Sequence, residues 1–115
     1  MTIRNASLIL ILAFLLLVSG AAATKCVIYV VDETHQALNG ASIYMDDWSQ
    51  LIGKTTFNTQ IGWNCWVGEI QPEGEHTLNA KWDGKARFRP PHEGSATVNI
   101  AGSATQFVTI MTHKV

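Results

Sequence analysis

The chain has 115 residues, with eight Lys/Arg against nine Asp/Glu and a formal net charge of −1. That near balance supplies no field to attract nucleic acid, and the length suits a single domain. Two cysteines without a C-x-x-C spacing leave zinc and thioredoxin-type redox chemistry without their usual signature.

In chain order, Arg4 precedes an unbroken apolar run from Leu8 to Val18, followed by Ser19-Gly20-Ala21-Ala22-Ala23. A basic start, an apolar centre and an A-x-A end are the pattern of an export signal helix over residues 1–23. An uncleaved membrane anchor is the other reading, and membrane contact is expected only in that case. The domain is then residues 24–115, with seven Lys/Arg and nine Asp/Glu. A secreted or cell-surface location follows, and both cysteines fall in this part, as an oxidising compartment allows.

Cys26 to Val31 is a β-branched and aromatic run, expected as a strand buried on both faces or at a sheet centre. Asn39-Gly40 marks a turn, and Ser42 to Met45 alternates in polarity. Asp46 to Gln50 is a polar loop, Leu51 to Phe57 a short edge strand interrupted at Gly53, and Asn58 to Gly62 a turn. Trp63 to Ile70 is a strand with Gly68 inside it. From Glu73 to Arg89 the alternation predicts a hairpin with a three-residue loop, Trp82 to Gly84. That register sets Lys81 opposite Lys85, Ala80 opposite Ala86 and Leu78 opposite Phe88, with Gly84 left-handed. Pro90-Pro91 ends it. Thr97 to Ala101 and Gln106 to Thr112 close the count at seven or eight short strands. No helical periodicity of useful length appears after the leader, so an all-β sandwich is expected.

Cys26 shares a strand face with Ile28 and Val30, and Cys65 with Trp63 and Val67. Both faces are expected to look inward, so an internal Cys26–Cys65 disulfide is expected, worth about 4 kcal/mol in the chain-entropy model. Two buried free thiols, or an intermolecular bridge from Cys26, are the alternatives.

Val27 to Asp32, then Leu38-Asn39-Gly40-Ala41-Ser42-Ile43-Tyr44, resembles the opening of carboxypeptidase regulatory-like (transthyretin-like) domains. Gly53-Lys54-Thr55-Thr56, Gly62, Gly74 to Leu78 and a hairpin at Gly84 are similar to the related PEGA domains. The resemblance implies an Ig-like or transthyretin-like sandwich without catalytic residues, serving in adhesion, envelope contacts or extracellular assemblies.

Chemistry-bearing motifs are sparse. Gly53-Lys54-Thr55 lacks the earlier glycine of a phosphate loop, since position 48 is Trp. His35, His76, His92 and His113 form no H-x-H or H-x-x-x-H and read as scattered surface histidines. Asp46-Asp47 aims two carboxylates at one cation only in a loop conformation, and a solvated loop is preferred. No catalytic residue, metal or cofactor is assigned. Two contact surfaces are expected. Lys81, Lys85, Arg87 and Arg89 make a basic face, either solvated or set against an acidic partner. Trp48 and Trp66, with Asn64, are candidates for stacking on sugar rings. The leading expectation is an exported, non-catalytic module for envelope or extracellular structure, adhesive or self-assembling. It would contact a protein partner, copies of itself or envelope polysaccharide. The first and last strands would be free to join a neighbour's sheet. The alternative is a carbohydrate-binding module.

Overall fold

The computed structural model describes residues 23–84 and 89–115. Within them the regular structure is all strand: β1 (Thr24–Val31), β2 (Ser42–Met45), β3 (Leu51–Lys54), β4 (Thr56–Asn58), β5 (Trp63–Ile70), β6 (Gly74–Trp82), β7 (His92–Ile100), β8 (Gln106–Met111) and β9 (His113–Lys114). They form two sheets, a four-stranded one in the order β4-β5-β1-β8 and a five-stranded one in the order β3-β2-β6-β7-β9. The core lies between the sheets. Ile28 and Val30 of β1 and Val108 and Ile110 of β8 face Ile43, Leu78, Ala80 and Ile100 from the other layer. The export signal expected over residues 1–23 lies, apart from Ala23, outside the described residues.

The strand count exceeds the expectation because two runs each serve both sheets. β3 passes into β4 at Thr55, not Gly53, and β8 passes into β9 at Thr112. Such corners are how sandwiches bring strands from one layer to the other. Both corner residues are buried. The Thr55 hydroxyl donates to Leu38 O at 2.6 Å and accepts from Ala41 N at 3.0 Å, while the Thr112 hydroxyl donates to Val31 O at 2.7 Å.

β1 sits at a sheet centre, antiparallel to β5 and parallel to β8. The first strand is therefore not a free terminal strand. It pairs with the last long one, which keeps one open edge among the described residues.

The hairpin register predicted across Trp82 to Gly84 is corrected. β6 pairs with β7, setting Trp82 opposite His92, Lys81 opposite Glu93, Ala80 opposite Gly94 and Leu78 opposite Ala96. Nine consecutive pairs, Gly74↔Ile100 to Trp82↔His92, offer a longer ladder than Lys85 to Arg89 could. The prolines start β7 rather than ending the sheet. Gly84 does have a left-handed φ of +83°, and its close neighbour is the Arg89 carbonyl, where a side chain would collide.

The disulfide is corrected too: Cys26 and Cys65 are free and buried. Cys26 lies opposite Gly68 in the β1–β5 ladder, and Cys65 is three residues from Gly68 along β5. Three residues span about 10 Å, beyond the roughly 7 Å that a bridge tolerates. The odd offset also puts the thiols on opposite faces of one sheet. Cys26 joins the core, and Cys65 does not.

Candidate functional site: the open face of the four-stranded sheet

The two outer faces of the sandwich differ in chemistry. On the five-stranded sheet the outward cross-strand pairs of β6 and β7 are Glu75↔Asn99, Thr77↔Thr97, Asn79↔Ser95 and Lys81↔Glu93. All are polar, and Ser95 Oγ donates to Asn79 Oδ1 at 2.6 Å. Across β6 and β7 that face is polar, and only at its β2–β3 edge does it carry apolar groups, Tyr44 beside the exposed Leu51 and Trp48.

The outward face of the four-stranded sheet is apolar. In one row Val27 lies between Phe107 of β8 and Val67 of β5. Two residues along, Tyr29 pairs with Thr109, and Cys65 follows Val67 on the same side of β5. A further step brings Val31 beside Met111, with Trp63 at the start of β5. Phe107 is 65% exposed, Trp63 56% and Met111 53%. These large side chains shelter Val27 and Val31, which are buried, but among the described residues nothing covers them in turn. Lys25 and Glu69 are directly opposed at one end of the face, so its border is neutral. Contiguous exposed apolar surface of this kind marks an interaction site.

Trp63 lines both of two shallow grooves. One, of about 310 Å³, runs over Tyr29, Val31 and Thr109 and is bordered by His35. The other, of about 400 Å³, lies between Phe57, Gly62 and Asn64 and is bounded by Gln36, Ala37 and again His35. The loop after β1 places these polar groups. Asp32, itself buried, accepts from Thr34 N, Thr34 Oγ1 and Gln36 N through Oδ1, and from Arg89 Nη2 at 2.8 Å through Oδ2. Burial alone would raise the Asp32 pKa, but these hydrogen bonds and the Arg89 charge hold it below the ordinary carboxylate value. The tightened loop leaves His35 at φ +67°, a conformation usual for glycine. Asn64 ties the other wall, donating to Ala37 O at 3.3 Å and accepting from Asn39 Nδ2 at 3.1 Å.

The sugar-stacking candidates fare differently. Asn64 lines a groove, but its aromatic neighbour there is Trp63. Trp66 points inward and packs against the core, its indole spread over Gly53 and Gly68, where any side chain would strike it. Those two glycines make room for the ring. Trp48 is exposed far along the chain in the β2–β3 loop, tilted against Tyr44 with ring centroids 5.3 Å apart. It belongs to the other sheet's end.

The basic face does not assemble as expected. Lys81 is exposed, opposite Ser42 on one side and Glu93 on the other. Arg89 turns to Asp32 and lies 4.9 Å from the Trp82 ring centroid. Lys85 and Arg87 lie outside the described residues.

Two of the histidines are not on the surface. His76 is buried between Asp46 Oδ2, 2.8 Å from Nδ1, and Pro72 O, 2.6 Å from Nε2. The Asp46 hydrogen bond, then that of Pro72, raises its pKa above the ordinary value and correspondingly lowers that of Asp46. His92 is buried between Pro90 O and Glu33 Oε1. The Asp46 carboxylate serves His76 and the Thr77 amide rather than a shared cation site with Asp47.

Trp63, Tyr29, Phe107 and Met111 escaped the sequence reading as surface residues, while His35 is exposed as expected. A signal was available. Val27 to Val31 and Phe107 to Met111 carry large apolar side chains on both faces, and residues 24–115 show no helical periodicity that would supply a third layer over the second face. Comparison with known families finds no matching family model, and a search of curated proteins finds no match.

Proposed function

We propose that this chain is an exported, non-catalytic β-sandwich module that serves cell-envelope or extracellular structure through surface contact. Its working surface is the outer face of β5, β1 and β8. The observation that carries this reading is the asymmetry of the sandwich: four polar cross-strand pairs on one outer face, and Val27, Phe107, Val67, Val31 and Met111 on the other. Leaving such surface in water costs solubility unless something docks on it.

The leader-like residues 1–23, cleaved or kept as an anchor, support export to a secreted or surface location. The likeness of Val27 to Tyr44 to carboxypeptidase regulatory-like and PEGA openings supports an accessory module of the transthyretin-like kind, with no catalytic residues or cofactor. The open edge of β8 and its exposed Phe107 and Met111 support adhesion or association with copies of itself.

The test is co-sedimentation of the protein, recovered from cells expressing the full chain, with envelope fragments of the same cells. Binding that falls at least tenfold in Trp63→Ala supports the proposal. Absence of binding to any envelope fraction, together with a strictly monomeric protein, overturns it. A carbohydrate ligand is the second reading, favoured by the grooves that flank Trp63.

A further inference from the structure

Resting on the binding-module reading above, we infer that the grooves on the two sides of Trp63 hold neighbouring rings of an uncharged polysaccharide. The indole forms the ridge between them, and His35 and Gln36 supply hydrogen bonds from the rim.

Charge is the first argument. Among the described residues neither groove is lined by a Lys, Arg, Asp or Glu side chain. The described ionic groups nearby are already committed: Asp32 to Arg89, and Glu33 to His92 and the Lys114 amide. A phosphate, a uronate or a charged peptide would be desolvated there without a fixed countercharge. A neutral ligand avoids that cost.

Shape and polarity narrow the class. Tyr29, Trp63 and Phe57 present aromatic surface across both grooves, while Thr109, Gln36 and Asn64 offer hydroxyl and amide groups at their margins. A pyranose ring has the matching amphipathy, with C–H bonds on its faces and hydroxyls around its edge. The faces lie on aromatic rings and the edge meets polar groups, as binding sites generally combine an apolar floor with few placed polar groups. Two grooves sharing one indole and one imidazole repeat the arrangement for consecutive units of a polymer.

His35 supplies the independent observation. Its φ of +67° is one that glycine would adopt with less strain, yet a bulky side chain occupies it. Among the described residues the imidazole makes no hydrogen bond, and it borders both grooves. A contact with ligand gives that side chain a purpose which the fold does not.

The experiment is affinity electrophoresis of the protein from full-chain expression, in gels carrying hydroxyethylcellulose, galactomannan or arabinoxylan, with alginate as the charged comparison. The expected result is retardation by at least one neutral polymer and weaker retardation by alginate. Trp63→Ala should weaken binding at least tenfold and His35→Gly several-fold, while Trp48→Ala leaves it unchanged. His35→Gly relieves the backbone, so its loss of binding could not be assigned to misfolding. No retardation by any neutral polymer, equal retardation of Trp63→Ala, stronger binding to alginate, or displacement only by a proline-rich decapeptide would overturn the inference. Trp63-dependent binding to envelope fragments without any response to neutral polymers defeats this ligand class and leaves the binding-module reading standing. Binding to neither defeats both.

Discussion

Thr55 and Thr112 occupy equivalent places at opposite edges of the sandwich, each at the residue where a strand leaves one sheet for the other. Each is buried, and each donates its hydroxyl to a backbone carbonyl: Leu38 O for Thr55, and for Thr112 Val31 O, which the Thr112 amide also reaches at 2.8 Å. Thr55 also serves the Ala41 amide. Thr→Val keeps shape and removes the hydroxyl. The expected cost is about 2–3 kcal/mol at Thr55, where two partners are stranded, and about 0.5–1.5 kcal/mol at Thr112, where Val31 O keeps the Thr112 amide. The sites are well separated, so the double variant should be close to additive. Urea unfolding midpoints check the order, and a Thr112 variant less stable than the Thr55 variant would contradict it.

The His76–Asp46 pair gives stability a dependence on pH. His76 has its pKa raised in the folded state, so its contribution is complete below the unfolded histidine value and is lost as pH rises through the folded one. Asp46 has its pKa lowered, so its contribution is present above the unfolded carboxylate value and is lost as pH falls through the folded one. The pair therefore stabilises most in the mildly acidic range between those limits. Thermal melts from pH 4 to pH 9 should decline toward the alkaline end, and Asp46→Asn should flatten that decline. An unchanged slope in Asp46→Asn would refute the assignment.

The thiols make a chemical prediction. Burial raises the pKa of both Cys26 and Cys65, which lowers their thiolate fractions. Intact mass after native alkylation should show both cysteines slow to react, and both should be labelled after unfolding without reductant. Adding reductant should leave Tm unchanged. Cys26→Ala should cost about 1 kcal/mol through the lost packing. A Tm that falls sharply on reduction would point to a bridge.

Exposure on β8 predicts the behaviour of the surface apart from any ligand. Phe107→Ser and Met111→Ser replace side chains that are mostly in water, so each should change stability by less than about 0.5 kcal/mol. The same changes should abolish the concentration-dependent rise in sedimentation coefficient expected of the parent protein. Identical sedimentation of parent and double variant would remove β8 as a self-association surface.

Alternation along single strands was legible in the residues alone. Ile28 and Val30, Leu78 and Ala80, Val108 and Ile110 announce their inward face by a period of two, and the turn at Asn39-Gly40 by its chemistry. An all-β two-layer arrangement follows from such periods. Partners were not legible. Glu93, not Lys85, faces Lys81, because choosing among ladders compares distant segments by total pairing length, which no local window contains.

The chain's own chemistry determined which residues alternate, where it turns, and that no helical periodicity follows residue 23. Tertiary structure alone decided that Cys26 and Cys65 fall on opposite sides of one sheet, that Trp66 turns inward over Gly53 and Gly68, and that Trp63 is left in the open. The physical reason is register. A strand offers two faces of nearly equal merit when both are apolar, and only its pairing with neighbours, one residue either way, assigns one to the core and the other to the surface.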